Sequence, residues 1–324
     1  MARVALDTMG TDYGPAETVC GAVLAAEQGH DVVLVGDESI LRVELDRNHA
    51  DLEIVHASET IEMHENPARA IRDKTDSSVV VTARLIRDGL VEAAVLPGST
   101  GAALAAASIV VGRIKGVHRP AIATIIPTPG SPTVLIDAGA NPDCRPEYLA
   151  QFGVMGSVVA EIVFGLESPR VGLVNIGGEP SKGRELDRTA HGLLSEAAVN
   201  FVGNVEGGDF AKDRADVFVA DGFTGNVILK TSEGTAGYAI QLALGALATL
   251  PTEMQEAVMA AMASIRSRLD PEKYGGAYLV GTRGVVIIAH GSSSRIAIAN
   301  AIAMAAEGAK GGMVSELERR LATS

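Results

Sequence analysis

The sequence lacks several features that mark common protein classes. It contains no tryptophan, and aromatic residues make up only 3% of its 324 residues. Any buried core must therefore be built from aliphatic side chains. Its two cysteines, Cys20 and Cys144, lie far apart, match no metal-ligand spacing and suggest no disulfide framework. We interpret Cys144 as an inert thiol, because no adjacent histidine is present to activate it.

Positive charge is also scarce. The chain carries 27 Lys and Arg against 40 Asp and Glu, a formal net charge of -13. No basic run or interleaving of basic and aromatic residues offsets this charge, so we expect no nucleic-acid partner. The start of the chain has no charged segment followed by an apolar one. We therefore predict no signal peptide and a cytoplasmic location.

Two long runs carry no charge, residues 93–112 and 234–252. Pro97-Gly98 interrupts the first, and the second contains several glycines and Gln241. The second is long enough to span a membrane, but its composition favours a buried or interfacial helix. A break at Leu250-Pro251 predicts a helical hairpin over residues 234–274. We expect this hairpin to belong to a single α/β domain, residues 1–324.

Short apolar runs alternate with helical segments along most of the chain. This alternation predicts an α/β fold with three layers around a mostly parallel, doubly wound sheet. The predicted strands are residues 3–6, 32–35, 52–55, 93–96, 121–126, 133–136, 170–175, 201–205, 217–219 and 285–289.

Polar, glycine-bearing loops follow six of these strands. They begin at Asp7, Pro97, Asp137, Ile176, Asp221 and His290. In an open α/β sheet, ligands bind outside the carboxyl ends of the strands. None of the loops has the order GxGxxG or GxxxxGK[ST], which weakens a dinucleotide or P-loop interpretation.

The stretch at residues 216–234, DVFVADGFTGNVILKTSEG, shows the arrangement most clearly. A buried strand ends at Asp221, a loop of small residues follows, and Asn226 is predicted to open a helix. Backbone N–H groups at a helix N-terminus favour an anion there. An ordinary strand–helix turn, in which Asp221 and Thr224 cap the helix, explains the same residues.

Two further positions are candidates for catalysis. Lys182 lies in a glycine-flanked loop, where its charge could meet a phosphate or a developing oxyanion; the alternative is a solvent-exposed lysine. His290 ends an apolar strand and is either catalytic or a core or capping histidine. Ser292 and Ser293 follow it, and they either cap the last helix or bind an anion.

Two further groups of polar residues bear on ligand binding. The loop of small residues after the fourth strand is predicted to bind an anion through its backbone and hydroxyl donors; it comprises Gly98, Ser99, Thr100 and Gly101. His64 lies between Glu62 and Glu65, but this spacing fits no common metal motif. We interpret that segment as a solvated loop and predict no metal site.

Taken together, these loops resemble the bacterial phosphate acyltransferases. The motifs that carry the resemblance are DTMGTD at residue 7, KTDSSVVV at 74, PGSTGA at 97, DAGANPDCRPEYLAQFGVMG at 137, RVGLVNIGGEPSKGRE at 170, FVGNVEGGDF at 201, DGFTGNVILKTSEG at 221, YGGAYLVG at 274 and HGSSS at 290. In this order they cover nearly the whole chain. The resemblance implies an isocitrate/isopropylmalate-dehydrogenase-like fold with a protruding hairpin, and a homodimer whose site lies close to the dimer interface.

The resemblance also implies a reaction. Such enzymes convert acyl-acyl-carrier-protein and orthophosphate into acyl phosphate, the first step of membrane phospholipid synthesis. The implied partners are acyl carrier protein, orthophosphate and a second copy of the chain, with no cofactor. The alternatives are a short-chain phosphate acyltransferase or dehydrogenase relative of the same fold, and a non-catalytic scaffold that binds lipid or carrier protein.

On this basis we assign catalysis to Lys182 and Asn226. The expected substrate-binding residues are Asp7, Gly98, Ser99, Thr100, Gly101, Asp137, Asn141, Asp221, Thr224, His290, Ser292 and Ser293. The chain departs from the family pattern at Thr11, Ser99, Gly178, Arg184 and Gly208. The hairpin has few basic residues, so we expect at most a loose peripheral contact with the inner face of the membrane.

Overall fold

A computed structural model describes residues 2–62, 64–128, 131–247, 251, 254–256, 258–260, 262–263 and 271–322. Its strands are β1 (Arg3–Asp7), β2 (Asp31–Gly36), β3 (Glu53–His56), β4 (Ala93–Gly98), β5 (Ala121–Ile126), β6 (Thr133–Ile136), β7 (Arg170–Val174), β8 (Asn200–Val205), β9 (Val217–Val219), β10 (Ala277–Val280) and β11 (Val285–His290). Its named helices are α1 (Pro15–Glu27), α2 (Glu38–Arg47), α3 (Pro67–Asp73), α4 (Ser78–Arg87), α5 (Thr100–Ala106), α6 (Pro146–Phe164), α7 (Glu185–Glu196), α8 (Gly222–Leu247), α9 (Arg295–Lys310) and α10 (Met313–Leu321).

The strands form one sheet in the order β3-β2-β1-β4-β11-β10-β5-β6-β9-β7-β8. Seven of its ten pairings are parallel, which confirms the predicted mostly parallel sheet. The three antiparallel pairings are β11–β10, β10–β5 and β5–β6. As a result, β1 to β4 and β11 run in one direction, whereas β6 to β9 run in the opposite direction.

Helices cover both faces of the sheet. Alternate residues of a strand point to opposite faces, so Val4 and Leu6 pack into one core while Ala5 packs into the other. The first core is closed by α1, α2, α6, α7, α9 and α10, and the second by α3, α4 and α5. Both cores are mainly Ala, Val, Ile and Leu, as the shortage of aromatic residues predicts.

Helix α6 is the central helix of the first core. Eleven of its 19 residues are buried. Among the described residues it is the one helix long and apolar enough to cross a membrane by length and composition. Its apolar surface is instead covered by the chain itself, through contacts with α7, β9 and α10. Gly156 allows the close approach, because a Cβ there would lie 2.4 Å from Val217 Cγ1.

Three elements were not predicted. Helix α2 is capped by Asp37, which accepts hydrogen bonds from Ser39 N and Ile40 N, and it packs through only two buried leucines. Helix α10 is similarly short and highly charged. Strand β10 lies between Gly276 and Gly281, which resemble turn residues, and its four residues are too few to show a period.

Helix α8 is long and largely uncovered. It runs continuously from Gly222, and among its residues only Gly222, Gly225 and Leu247 are buried. Its exposed apolar side chains include Val227, Tyr238 and Leu242. The predicted hairpin requires a second limb at residues 251–269, most of which lies outside the described residues.

We predict that Gly156→Ala destabilises the protein by about 1–3 kcal/mol, because the new methyl group overpacks the contact between α6 and β9. Gly192→Ala is the matched control, since Gly192 is also inside a helix but a Cβ there meets nothing within 4 Å. That variant should gain roughly 0.5–1 kcal/mol from helix propensity. Urea unfolding measures both, and a Gly156→Ala protein as stable as the wild type would contradict the packing argument.

Candidate active site

The predicted site residues fall into two groups because the sheet reverses direction. The first group, here called the β1–β4–β11 cluster, follows the strands of one block and contains Asp7, Gly98, Ser99, Thr100, Gly101, His290, Ser292 and Ser293. The second, the β6–β7–β9 cluster, follows the other block and contains Asp137, Asn141, Lys182, Asp221, Thr224 and Asn226.

Strand register shows how far apart the clusters lie in one chain. The pairings through β10 and β11 place Ile122 and Ala94 at the same level of the sheet. Asp137 stands at this level too, because its Oδ1 accepts a hydrogen bond from Ile122 N at 2.9 Å. Gly98 is about 13 Å further along β4 and roughly 19 Å away across the strands. In one chain the two clusters therefore lie at opposite ends of the strands, on the order of 20 Å apart.

Asp137 is the most highly coordinated carboxylate of the β6–β7–β9 cluster. Its Oδ1 accepts hydrogen bonds from Ile122 N, Gly139 N and Ala140 N at 2.9, 3.2 and 2.9 Å. Its Oδ2 accepts from the backbone and side-chain nitrogens of Asn141 at 2.6 and 2.9 Å. Burial raises the pKa of Asp137, and these donors oppose that rise. Asp137 thus accepts five hydrogen bonds, and these fix the conformation of the loop.

The start of α8 packs directly on this braced loop. Gly222 N donates to Asn141 O at 2.8 Å. A Cβ on Gly225 would lie 2.0 Å from Asp137 O, so only glycine fits there. The two glycines therefore serve a close backbone contact, and the helix begins at Gly222. Our prediction that Asn226 opens the helix was wrong, and Asn226 instead lies in the second turn.

Asp221 caps this helix. Its Oδ1 accepts from Thr224 N at 2.8 Å, and its Oδ2 accepts from Thr224 Oγ1 at 2.9 Å and from Arg184 Nη2 at 2.6 Å. Burial alone would raise the pKa of Asp221, but the hydrogen bonds from Thr224 and Arg184 hold it below its usual range. Asp221 therefore caps the helix, as the strand–helix turn interpretation holds, and it also forms an ion pair with Arg184.

Arg184 joins two loops that are distant in sequence. Its guanidinium also binds both carboxylate oxygens of Asp187, at 3.0 and 2.8 Å. The hydrogen bonds that Arg184 donates to Asp187 and Asp221 raise its pKa above the ordinary value, although partial burial opposes this. In the sequence Arg184 was only a departure from the family pattern. The one local signal was an aspartate three residues later, in the first turn of α7.

Lys182 lies two residues before this link. Its backbone N donates to Glu179 O at 3.0 Å, and its carbonyl accepts from Asn175 Nδ2 at 3.1 Å. The following Gly183 has φ 87°, and a Cβ there would lie 2.5 Å from Asn175 Oδ1. The Lys182 side chain is exposed. In the described part of the chain no carboxylate forms an ion pair with it, so its charge is available to a ligand.

Asn226 completes the β6–β7–β9 cluster. Its amide lies over the Asp137 loop, with Oδ1 3.6 Å from the position a Cβ on Gly139 would take. The side chain is exposed. The Arg184–Asp221 bridge ties the loop of Lys182 to the helix start that carries Asn226. The two residues assigned to catalysis are thus positioned by the same contacts.

In the β1–β4–β11 cluster, Asp7 is only 3% exposed. Burial raises its pKa to about 6, against hydrogen bonds from Ser78 and from Met9 N. Asp7 and Ser78 line a cavity of about 20 Å³ together with Thr60 and Ser99. This volume holds roughly one water molecule. Nothing in the sequence indicates the contact between Ser78 and Asp7, because the two residues are far apart in the chain.

The glycine loop of this cluster is shaped by a close backbone contact. Gly98 has φ 114°, and a Cβ there would lie 2.1 Å from Gly10 O. Ser99 caps α5 by accepting from Ala102 N at 3.3 Å. Thr100 and Gly101 form the first turn of that helix.

His290 is exposed at the end of β11. Its Nδ1 accepts from Ser292 N at 3.2 Å and lies 2.7 Å from Ser292 Oγ. Nδ1 is therefore an acceptor, which leaves the Nε2 position protonated in the neutral ring. Of the two roles left open for Ser292 and Ser293, capping of the last helix is not the one observed. Ser294 caps α9, since its Oγ accepts from Ala297 N at 3.4 Å.

Cys144 and the residues around His64 lie in the following surroundings. Burial raises the pKa of the Cys144 thiol to about 12, so it is protonated at neutral pH. In the loop around His64, the Glu65 carboxylate pairs with Lys74 Nζ at 2.6 Å. Within the described ranges, no group of three His, Cys, Asp or Glu side chains is arranged to hold a metal ion.

This fold is that of a known class of α/β proteins. A phosphotransacetylase from Streptococcus pyogenes superposes with a TM-score of 0.62 at 19% identity, covering 95% of this chain and 94% of that one. A putative 4-hydroxythreonine-4-phosphate dehydrogenase from Salmonella typhimurium gives 0.54 at 12% identity, covering 95% and 99%. The protein therefore has the dehydrogenase-like architecture that phosphotransacetylases share.

Sequence similarity defines the family more closely. A family model described as "Fatty acid synthesis protein" matches residues 2–316. The phosphate acyltransferase of Pelotomaculum thermopropionicum is 49% identical over 323 residues, which cover 97% of this chain and 94% of that protein. Other proteins of that name share 43–46% identity. The chain belongs to the phosphate acyltransferase family, as its motifs indicated.

We predict that Arg184→Met destabilises the protein, because it leaves the buried Asp221 carboxylate without its cation. The Arg184 side chain is 56% exposed, so we expect only ~1–2 kcal/mol. Arg87→Met, which removes an exposed pair with Asp88, is the control and should cost less than about 0.5 kcal/mol.

The pH dependence of this loss follows from the sign of the shift. Asp221 has a lower pKa in the folded protein, so its pairing stabilises the fold above the unfolded pKa of about 3.9 and is lost as pH falls through the folded value. The stability difference between wild type and Arg184→Met should be full at neutral pH and shrink below about pH 4. A difference independent of pH would contradict the role given to this pair.

Proposed function

We propose that the protein forms acyl phosphate and free carrier protein from acyl-acyl-carrier-protein and orthophosphate, the first step of membrane phospholipid synthesis. The observation that carries this proposal is Lys182, which has no ion-pair partner among the described residues. The Arg184–Asp221 bridge ties its loop to the helix that carries Asn226, in a chain of the phosphate acyltransferase family. The family supports the acyl and phosphoryl chemistry. The carrier-bound donor is our inference from the motif pattern.

In this reaction a phosphate oxygen attacks the carbonyl carbon of the thioester. A carbon–oxygen bond forms, the carbon–sulfur bond breaks, and the thiol leaves with a proton. Hydrogenphosphate is already a competent nucleophile at neutral pH, so no covalent enzyme intermediate is required. The protein must hold the two reactants together and stabilise the oxyanion of the tetrahedral intermediate.

We assign these tasks within the β6–β7–β9 cluster. Lys182 offers an ammonium to the phosphate or to the oxyanion, and Asn226 offers an amide donor to the same charge. Asp137 and Asp221 have their oxygens occupied by the loops, by Asn141 and by Arg184, which supports an orienting role for both. Neither is assigned to proton transfer.

We further propose that the active form is a homodimer whose site combines both clusters. Within one chain the clusters are on the order of 20 Å apart, too far for both to reach one phosphate. A second subunit can bring its β1–β4–β11 cluster to the partner's β6–β7–β9 cluster. The exposed apolar side chains of α8 support this association, because a monomer rarely leaves such a surface uncovered.

Other functions make different predictions. A short-chain phosphate acyltransferase would prefer a small acyl donor, and a dehydrogenase relative would need a nicotinamide cofactor. A non-catalytic scaffold that binds lipid or carrier protein would catalyse neither of these reactions. Thiol release from acyl carrier protein in the presence of phosphate separates the proposed reaction from all three. We place the enzyme in the cytoplasm, with at most a loose contact at the inner face of the membrane.

Lys182→Ala should lower acyl-phosphate formation by on the order of 10²–10³, because one transition-state donor is lost. Thiol release with saturating acyl carrier protein and phosphate measures the effect. Lys310→Ala is the control, since Lys310 is exposed at the end of α9. Near wild-type turnover by folded Lys182→Ala protein would remove the assignment.

Asn226→Ala should lower the rate in a similar way, and Asn226→Asp should be slower still. The aspartate places a negative charge where an anion binds, and it also loses the amide donor. Steady-state kinetics with phosphate as the varied substrate test the order of the two variants. The anion-site argument fails if Asn226→Asp is the more active of the two.

A site shared between subunits can be detected by mixing two inactive variants. Lys182→Ala disables one cluster and Asp7→Asn the other, so a heterodimer of the two regains one intact site. Because half of the dimers in an equal mixture are heterodimers, roughly one quarter of wild-type activity should return after subunit exchange. A site contained in one chain predicts no recovery at all.

A further inference from the structure

Asn204 is a buried polar residue on β8 that no part of the proposed mechanism uses. It is only 2% exposed. Its Nδ2 donates to Glu179 O at 2.8 Å, a bond that fixes which end of the amide is the oxygen. Its Oδ1 is buried, and among the described residues nothing donates a hydrogen bond to it.

A buried acceptor without a donor is unusual. Most buried polar side-chain atoms in folded proteins have a partner, and an exception calls for an explanation such as a catalytic role or a bound water. The surroundings of Asn204 favour the first. Its amide lies under the turn that follows β7, and this turn carries the residue assigned to bind phosphate.

One carbonyl oxygen connects the two residues. Glu179 O accepts from Asn204 Nδ2 and, at 3.0 Å, from the backbone N of Lys182. The amide is therefore within one lysine side-chain length of the Lys182 backbone. The Lys182 side chain runs back across the turn, because its Cγ lies 3.1 Å from the position of a Cβ on Gly177.

Lys182 and Asn204 carry complementary hydrogen-bonding groups. Lys182 has an ammonium with no ion-pair partner in the described part of the chain, and Asn204 has an acceptor oxygen with no donor. A neutral amide oxygen can orient an ammonium without cancelling its charge. A carboxylate in the same place would orient it as well but would neutralise the charge that phosphate needs.

We infer that Asn204 is a positioning residue for Lys182. Its N–H holds the turn through Glu179 O, and its Oδ1 receives the Lys182 ammonium when the side chain folds inward. One N–H of the ammonium is then fixed, and the others point to the anion. The kinetic consequence of this inference rests on the proposed function, whereas the contact between the two side chains does not.

The test compares Asn204→Leu and Asn204→Asp with Asn200→Leu. Asn200 lies at the other end of β8, and its Nδ2 likewise donates to a backbone carbonyl, that of Ser168. Lysines are labelled by reductive ¹³C-methylation, and the Lys182 resonance is identified by its absence from Lys182→Arg. Asn204→Leu should shift this resonance and lower kcat/KM for phosphate by about 10- to 100-fold, because Lys182 is no longer oriented.

Asn204→Asp should behave differently from Asn204→Leu. It should keep Lys182 oriented, raise the pH at which the labelled resonance titrates, and increase KM for phosphate by roughly tenfold or more while kcat changes less. Asn200→Leu should leave the resonance and both kinetic constants as in the wild type.

The inference is overturned if Asn204→Leu leaves both the Lys182 resonance and KM unchanged. A lower melting temperature would not rescue it, because a residue that only supports the turn or binds a water would give the same result. Absence of acyl-phosphate formation by the wild type would instead refute the proposed function. The resonance shift can still be read in that case, so the two failures are distinct.

Discussion

The buried carboxylate of Asp137 is the contact on which the β6–β7–β9 cluster depends. Asp137 follows β6, at the place where the sheet changes direction, and its oxygens gather N–H groups from β5, from the loop and from Asn141. Its own carbonyl is the surface on which Gly225 packs. A buried carboxylate is costly unless its acceptors are filled. The loop is therefore held in the one shape that fills them, and α8 begins from that shape.

A second charge network extends this order to the β7 loop. Asp221 caps α8 and binds Arg184, and Arg184 is fixed in turn by Asp187 at the start of α7. Two helices and two loops that are far apart in sequence thus share three charged side chains. The arrangement contains two carboxylates and one guanidinium, so Arg184 has little charge left for a ligand. Lys182, two residues away, has no ion-pair partner in the described part of the chain, so its positive charge is not offset by a neighbouring carboxylate there.

Much of this architecture could be predicted from the sequence because its signals are local. Short, mostly apolar runs predicted β5, β6 and β9 with their observed bounds, and glycines predicted the loops at the ends of the strands. The sheet reverses where β5 pairs antiparallel with β6. The insertion of β10 between β11 and β5 could not be predicted, because this four-residue segment shows no period. The start of α8 was misplaced for a related reason. Gly222 and Gly225 have the composition of a loop, and only the nearness of the Asp137 backbone explains them as helix residues. Long-range pairs such as Arg184 with Asp221 leave no local pattern at all.

The protonation of the Cys144 thiol determines how readily it reacts with an acyl phosphate. An acyl phosphate is a mixed anhydride, and thiolates are among the groups that it acylates most readily. Cys144 lies beside the β6–β7–β9 cluster, with its Sγ 3.4 Å from Asn141 O. Burial, with smaller contributions from the charges of Asp137, Asp221 and Asp143, keeps its thiol protonated. A protonated thiol is a weak nucleophile, so Cys144 is a poor target for acylation.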